Sequence, residues 1–185
     1  MKRIQQELGS IVGKDNAVEE SHIHKLPYLL AVLKETPRLY PILPLLVPHC
    51  PNETATIGGY TIPKGSRVFV NMWAIHRDPY VWDNPLHFDP SRFLDSQLDF
   101  KSNDFGYLPF GSGRGICTGI ALAEKNLLYF VATLMHSFDW RVPQGQTTIE
   151  SYLIQNVNNH VDMSELANHI IDFPNNIYCV LLKYS

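Results

Sequence analysis

Three prolines within a dozen residues, Pro79, Pro85 and Pro90, decide what the middle of this chain cannot be. Each removes a backbone donor and collides with a preceding helical turn, and none suits a central strand. The stretch "AIHRDPYVWDNPLHFDPSRFLD", residues 74–95, is therefore predicted to be irregular rather than one long element. Trp82, Phe88 and Phe93 give it enough apolar mass to pack. Regular structure has to come from either side of it.

On the N-terminal side, residues 2–12 form a plausible helix closed near Gly13. In "HKLPYLLAVLKETPRLYP", Leu26, Leu29, Leu30 and Leu33 share a helical face. Pro27 fits the first turn, where the missing N–H costs nothing. Pro37 is uncomfortable late in a helix, and the element should end near Tyr40. Residues 41–72 carry a Gly-Gly turn, a Pro-Lys-Gly turn and the β-prone run "RVFVN", which predict a small, mostly antiparallel sheet. On the far side, a helix is expected from about Ile120 to His136, with Ile120, Ala123, Leu127, Phe130, Val131 and Leu134 as its apolar stripe. Beyond Gln144 the pattern is ambiguous, although "IYCVLL" has strand character. The expected class is α+β, mainly helical.

With 185 residues, 45% apolar and 18% charged, the chain has the composition of one globular domain. Its formal net charge of −3 does not point to bulk binding of nucleic acid. The three cysteines, Cys50, Cys117 and Cys179, are too far apart for a zinc site or a disulfide framework, and point to a reducing compartment. No run is long and apolar enough for a membrane anchor or a signal peptide. The chain by itself reads as soluble or prone to aggregate.

The chemistry concentrates in "PFGSGRGICTG", residues 109–119. Four glycines and a proline surround Cys117, just ahead of a helix. A thiolate is stabilised at such a place by the helix dipole and free N–H groups. Gly111, Gly113, Gly115 and Gly119 would let the backbone come close to a flat, bulky ligand. The residues by themselves leave three roles for Cys117: metal ligand, nucleophile or structural cysteine.

Taken with two upstream motifs, the loop resembles the C-terminal part of a cytochrome P450, most like plant microsomal members. Phe110, Gly113, Cys117 and Gly119 fall in register with the family pattern F-x-x-G-x-R-x-C-x-G. Glu35 and Arg38 in "KETPR" match E-x-x-R, and "FDPSRF" supplies Phe88, Pro90, Arg92 and Phe93 of F-x-P-E-R-F. The resemblance implies a partial P450 fold over residues 1–185, with 166–185 diverging after "DMSE" (Asp162–Glu165). It implies haem b as cofactor and Cys117 as the thiolate on its iron. Phe110, Gly111, Gly113, Arg114 and Gly119 would contact the haem, and His49 in "VPHC" would approach a propionate. Glu35, Arg38 and Arg92 would form a structural triad pinning the segment that leads to the cysteine loop. Taken alone, Glu35 and Arg38 read as a surface helix pair and His49 as an ordinary histidine near a turn.

Several positions depart from the family pattern. Gly115 replaces a basic residue that pairs with a propionate, Ser91 replaces the acid of F-x-P-E-R-F, Pro37 lies inside the E-x-x-R helix, and Thr118 stands where proline or alanine is usual. Nothing matches the family's long central helix with its acid–alcohol pair. The implied activity is monooxygenation, the insertion of one oxygen atom into a small organic substrate such as a terpenoid, alkaloid or phenylpropanoid. The implied partner is an NADPH-cytochrome P450 reductase, at the cytosolic face of the endoplasmic reticulum for an intact member. The alternative is a truncated, non-catalytic haem-binding remnant or inactive fragment.

Overall fold

The computed structural model describes residues 1–101, 104–138, 140 and 177–180. In chain order the elements are α1 (Lys2–Ile11), α2 (Glu20–Ile23), α3 (Pro27–Leu39), β1 (Ala55–Ile57), β2 (Tyr60–Ile62), β3 (Arg67–Val70), α4 (Met72–Ile75), α5 (Ile120–Ser137) and β4 (Ile177–Val180). The architecture is α+β and mainly helical. The described residues divide into two compact units, those within Met1–Ile42 and His76–Arg141, and those within Leu43–Ile75 and Val142–Ser185.

The first unit is built on α1, α3 and α5. Ile4, Leu8 and Val12 from the α1 region meet Leu26, just before α3, Leu29 of α3, and Leu128 and Ala132 of α5 in one buried cluster. The start of α3 shows how sequence and packing cooperate. Pro27 sits in the first turn, but the N-cap is Leu26, which has no side-chain acceptor. Glu7 of α1 supplies one instead, its two carboxylate oxygens accepting from Tyr28 N–H at 2.8 Å and Leu29 N–H at 2.9 Å. A capping carboxylate of this kind is worth about 1 kcal/mol. At the other end, α3 runs two residues past Pro37 before Tyr40 N–H closes it on the Thr36 carbonyl.

Helix α5 spans the expected residues, but it buries a different face. Ile120, Leu128 and Ala132 are buried, with Val131 and Met135 packed beside the core, whereas Leu127, Phe130 and Leu134 are exposed. The helix is apolar nearly all round, so hydrophobic periodicity alone cannot choose between its faces. Contact with α1, α2 and α3 makes the choice.

A second cluster joins Ala31 of α3 to Trp82, Phe93, Phe100, Tyr107 and Ile120. It fastens the proline-rich segment, which is irregular as its prolines dictate. Beyond the end of α4, only a short 3-10 turn, Pro90–Phe93, interrupts it.

The second unit holds the strands. β1 and β2 form an antiparallel hairpin around Gly58 and Gly59. β3 does not extend that hairpin. It pairs with β4 in parallel, Arg67 opposite Ile177 through Val70 opposite Val180. The expectation of a mostly antiparallel sheet is thus met only in β1–β2 and in a single antiparallel bridge between His49 and Val68. The reason is local. The Pro63-Lys64-Gly65 turn folds back on itself, with Ser66 N–H bonded to the Pro63 carbonyl and Gly65 N–H to the Pro51 carbonyl. β3 is left to find a partner far along the chain. The predicted divergence of residues 166–185 lies outside the described residues except at Ile177–Val180.

Candidate functional site

Two constellations in the first unit carry the chemistry, a buried ion-pair network and the cysteine loop. Glu35 and Arg38 lie one helical turn apart on the buried face of α3, and both are fully buried. Arg38 Nε donates to Glu35 Oε2 at 2.6 Å and Nη2 to Oε1 at 2.8 Å, a bidentate pair. Arg92 Nε reaches Glu35 Oε1 at 3.3 Å, and the Asp89 N–H donates to the same oxygen at 2.9 Å. Burying charge is costly unless every polar atom is met, and here the proline-rich segment meets them. Arg38 donates to the carbonyls of His76 at 2.8 Å, Pro85 at 2.7 Å and His87 at 3.1 Å. Arg92 takes Asp83 at 3.0 Å and His87 at 3.3 Å. A segment whose prolines forbid a backbone ladder thus spends its carbonyls on two guanidinium groups.

Ser91, where an acid was expected from the family motif, takes a different part. Its hydroxyl donates to Asp89 Oδ1 at 2.6 Å, and its N–H donates to the same oxygen at 3.0 Å. These two bonds, aided by Arg92 and His87, hold the Asp89 carboxyl below its ordinary range. Asp89 is the N-cap of the 3-10 turn, and Pro90 follows it at the first position. The Asp-Pro-Ser order carries that signal in the sequence.

Around the network lie three groups that sequence reasoning missed. Tyr107 is fully buried, and its hydroxyl donates to the Lys34 carbonyl at 2.7 Å. Burial, with Glu35 and Asp99 nearby, pushes its phenol well above the usual range. Arg77 donates to the Leu39 carbonyl. Burial and then the Arg38 charge lower it to about 10, so it stays cationic at neutral pH. His76 is fully buried beside Tyr107, with ring centroids 5.6 Å apart. Burial lowers it to about 4, and Arg38 and Arg77 push the same way against the carbonyls of Pro37 and Arg38. It is neutral at pH 7. These residues stand 32 to 73 positions from their partners, and no local pattern announces them.

The cysteine loop begins where this network ends. Leu108 N–H donates to His76 Nε2 at 3.2 Å. Two main-chain bonds then set the bend: Gly111 N–H to the Leu108 carbonyl at 3.0 Å, and Cys117 N–H to the Phe110 carbonyl at 3.1 Å. Gly111 and Gly113 adopt φ of 76° and 63°, a region that a side chain would strain. Phe110 anchors the loop edge-on against Phe100, with centroids 5.5 Å apart. Gly113–Gly115 make a single 3-10 turn and Gly119 caps α5.

Cys117 is exposed, as are Gly113, Arg114, Gly115 and Gly119. A Cβ added at Gly113 would meet nothing within 4 Å, so the backbone there faces open space. His49 lies in the second unit. It exchanges main-chain hydrogen bonds with Val68 at 2.8 Å each way, and borders an apolar hollow with Ala55, Ile57, Ile62, Val68 and Val70.

Among the described residues no cluster of three or more His, Cys, Asp or Glu is placed to hold a metal ion. One exposed sulfur on a bent, side-chain-poor loop suits a different case, a single axial bond to a metal whose other ligands come from a planar group. The donor set therefore fits haem. No helix among the described residues is long and apolar enough to cross a membrane.

The family model described as Cytochrome P450 matches residues 1–160. The chain is 50% identical over 145 residues to carnosic acid synthase of Rosmarinus officinalis, which covers 78% of this chain and 29% of that protein. It is 51% identical over 150 residues to the probable (S)-N-methylcoclaurine 3'-hydroxylase isozyme 2 of Coptis japonica, covering 81% and 30%. It is 49% identical over 185 residues to tabersonine 16-hydroxylase 2 of Catharanthus roseus, covering 100% and 34%. Among solved structures, a zebra fish cytochrome P450 with abiraterone matches with a TM-score of 0.69 at 41% identity, over 79% of this chain and 33% of that one. The chain thus spans about a third of the length of these relatives.

Proposed function

Because this chain belongs to the cytochrome P450 family, we propose that residues 1–185 are the proximal, iron-ligating part of a haem-thiolate monooxygenase, and that alone they hold haem without turnover. The observation that carries this is the exposed Cys117 on its glycine loop at the foot of α5. Bound haem b would supply oxygen activation. Cys117 would give the axial sulfur, and Gly111, Gly113 and Gly119 the close approach. Phe110 would hold the loop against the aromatic cluster. Arg114 and His49 are the basic groups proposed for the propionates. Glu35, Arg38 and Arg92 act at a distance, by fixing the segment from which the loop departs.

In the intact enzyme, electrons would come from NADPH through a cytochrome P450 reductase. The substrate would be a small organic molecule, in keeping with the plant hydroxylases among the relatives. For this stretch taken alone, the non-catalytic reading is the one proposed. An uncovered sulfur lets water reach the ligating bond, and an uncovered porphyrin face forfeits burial worth roughly 25 cal/mol per Å².

The test is reconstitution of the purified 185-residue chain with haem, NADPH and a plant reductase. NADPH consumption no faster than with free haem, and no hydroxylated product from any of several plant terpenoids and alkaloids, is the expected result. Coupled product formation would overturn it.

A further inference from the structure

His76 makes two contacts that point in different directions along the chain. Its main-chain carbonyl accepts from Arg38 Nη1 at 2.8 Å, which ties it to the buried ion pair. Its ring Nε2 accepts from Leu108 N–H at 3.2 Å, the amide at the entry to the cysteine loop. The Leu108 carbonyl in turn receives Gly111 N–H, and the Phe110 carbonyl receives Cys117 N–H. Main-chain bonds therefore run from the ring towards the sulfur-bearing residue.

The ring is an uncomfortable choice at this position. It is completely buried, and its Nδ1 has no hydrogen-bond partner. With Nε2 accepting, the neutral ring carries its proton on that unpartnered Nδ1. An apolar residue would spare the orphaned nitrogen but would leave the buried Leu108 N–H unmet.

We propose that His76 is the positioning residue of the cysteine loop: Nε2 holds the loop's first amide while Arg38 holds the His76 main chain, so the ring sets where the turn carrying Cys117 begins. Its bearing on haem ligation rests on the reading of Cys117 above, whereas the latch itself is a property of the haem-free chain. The groups facing the ring are Arg38 from α3, Arg77 beside it, and Tyr107 from the loop side. None is an anion; only the Pro37 and Arg38 carbonyls favour the protonated ring, and burial outweighs them, which leaves Nε2 as the acceptor that Leu108 needs.

The experiment is nuclear magnetic resonance on the haem-free chain, wild type and two variants. In wild type the histidine nitrogen shifts should show Nε2 unprotonated and Nδ1 protonated at pH 7. His76→Phe keeps an aromatic ring beside Tyr107 but removes the acceptor. Exchange of the Leu108 amide should then quicken at least tenfold while α1 amides keep their protection. His76→Gln can present an oxygen in place of Nε2 and should bring Leu108 exchange back to within about threefold of wild type. Equal Leu108 protection in wild type and His76→Phe would overturn the proposal, as would a wild-type ring protonated on Nε2. If His76→Phe does not fold, the wild-type tautomer and the His76→Gln exchange decide alone. A latch present in a chain that takes up no haem would uphold this inference and remove the ligation reading, so the two fail separately.

Discussion

Replacing Glu35 by alanine should destabilise the first unit by about 3–5 kcal/mol, the cost of leaving one member of a buried ion pair unpaired. Arg38 shows why. All five of its N–H groups are engaged, two on Glu35 and three on the carbonyls of His76, Pro85 and His87. Removing the carboxylate leaves a fully buried guanidinium whose remaining partners are neutral. The Asp89 N–H loses its acceptor and Arg92 its anchor in the same step. A domain of this size has a total stability of only about 5–15 kcal/mol, so the variant should be largely unfolded at moderate temperature. Arg38→Lys should cost nearly as much, because an ammonium cannot span a carboxylate and three carbonyls at once. Urea unfolding followed by tryptophan fluorescence is the measurement, since Trp82 lies under the Arg38 guanidinium, 5.3 Å away. A loss below about 1 kcal/mol, the range of an exposed pair, would contradict the network's role.

The second large effect is one of pH. His76 is held at about 4 in the folded chain, below its ordinary 6.5, chiefly by burial. Between those values the unfolded chain binds a proton that the folded chain does not. Stability therefore rises with pH across the window, and is lost as pH falls from about 6.5 towards 4. The full span corresponds to about 3 kcal/mol. Denaturant midpoints at constant m-value should fall steadily between pH 7 and pH 4.5, and His76→Gln should flatten that slope. A wild-type midpoint independent of pH over this range would show that His76 is not held neutral by the fold.

How much of this was legible beforehand depends on the distance over which each signal acts. Glu35 and Arg38 sit at i and i+3, and Arg92 lies in a short motif with Pro90 and Phe93. The residues that meet in the network are therefore visible as spacing, and the structure brings their side chains together. Helix limits were legible too, because Gly13, Pro27 and Pro41 punctuate the chain locally. His76, Tyr107 and Glu7 were not. Each acts on a backbone group 21 to 73 positions away, and nothing in its own neighbourhood requires it. The buried face of α5 failed for another reason. Leu127, Phe130 and Leu134 satisfy helical periodicity as well as Leu128 and Ala132 do, so only packing against α1 and α3 separates them. The parallel β3–β4 pair escaped because a strand's partner is not written in the strand.

The cysteine loop lies between these cases. Its bend was legible from four glycines, and its thiol from position, but the exposure of Cys117 was not. The expected behaviour of the isolated chain is ligation by Cys117 without a closed pocket. The most direct measurement is a haem titration of the purified chain followed by the reduced carbon monoxide difference spectrum, with Cys117→Ala in parallel. A substoichiometric thiolate-type band that disappears in Cys117→Ala is the predicted result. A stoichiometric band would contradict the open, non-catalytic site, and haem uptake unchanged in Cys117→Ala would contradict ligation by Cys117 altogether.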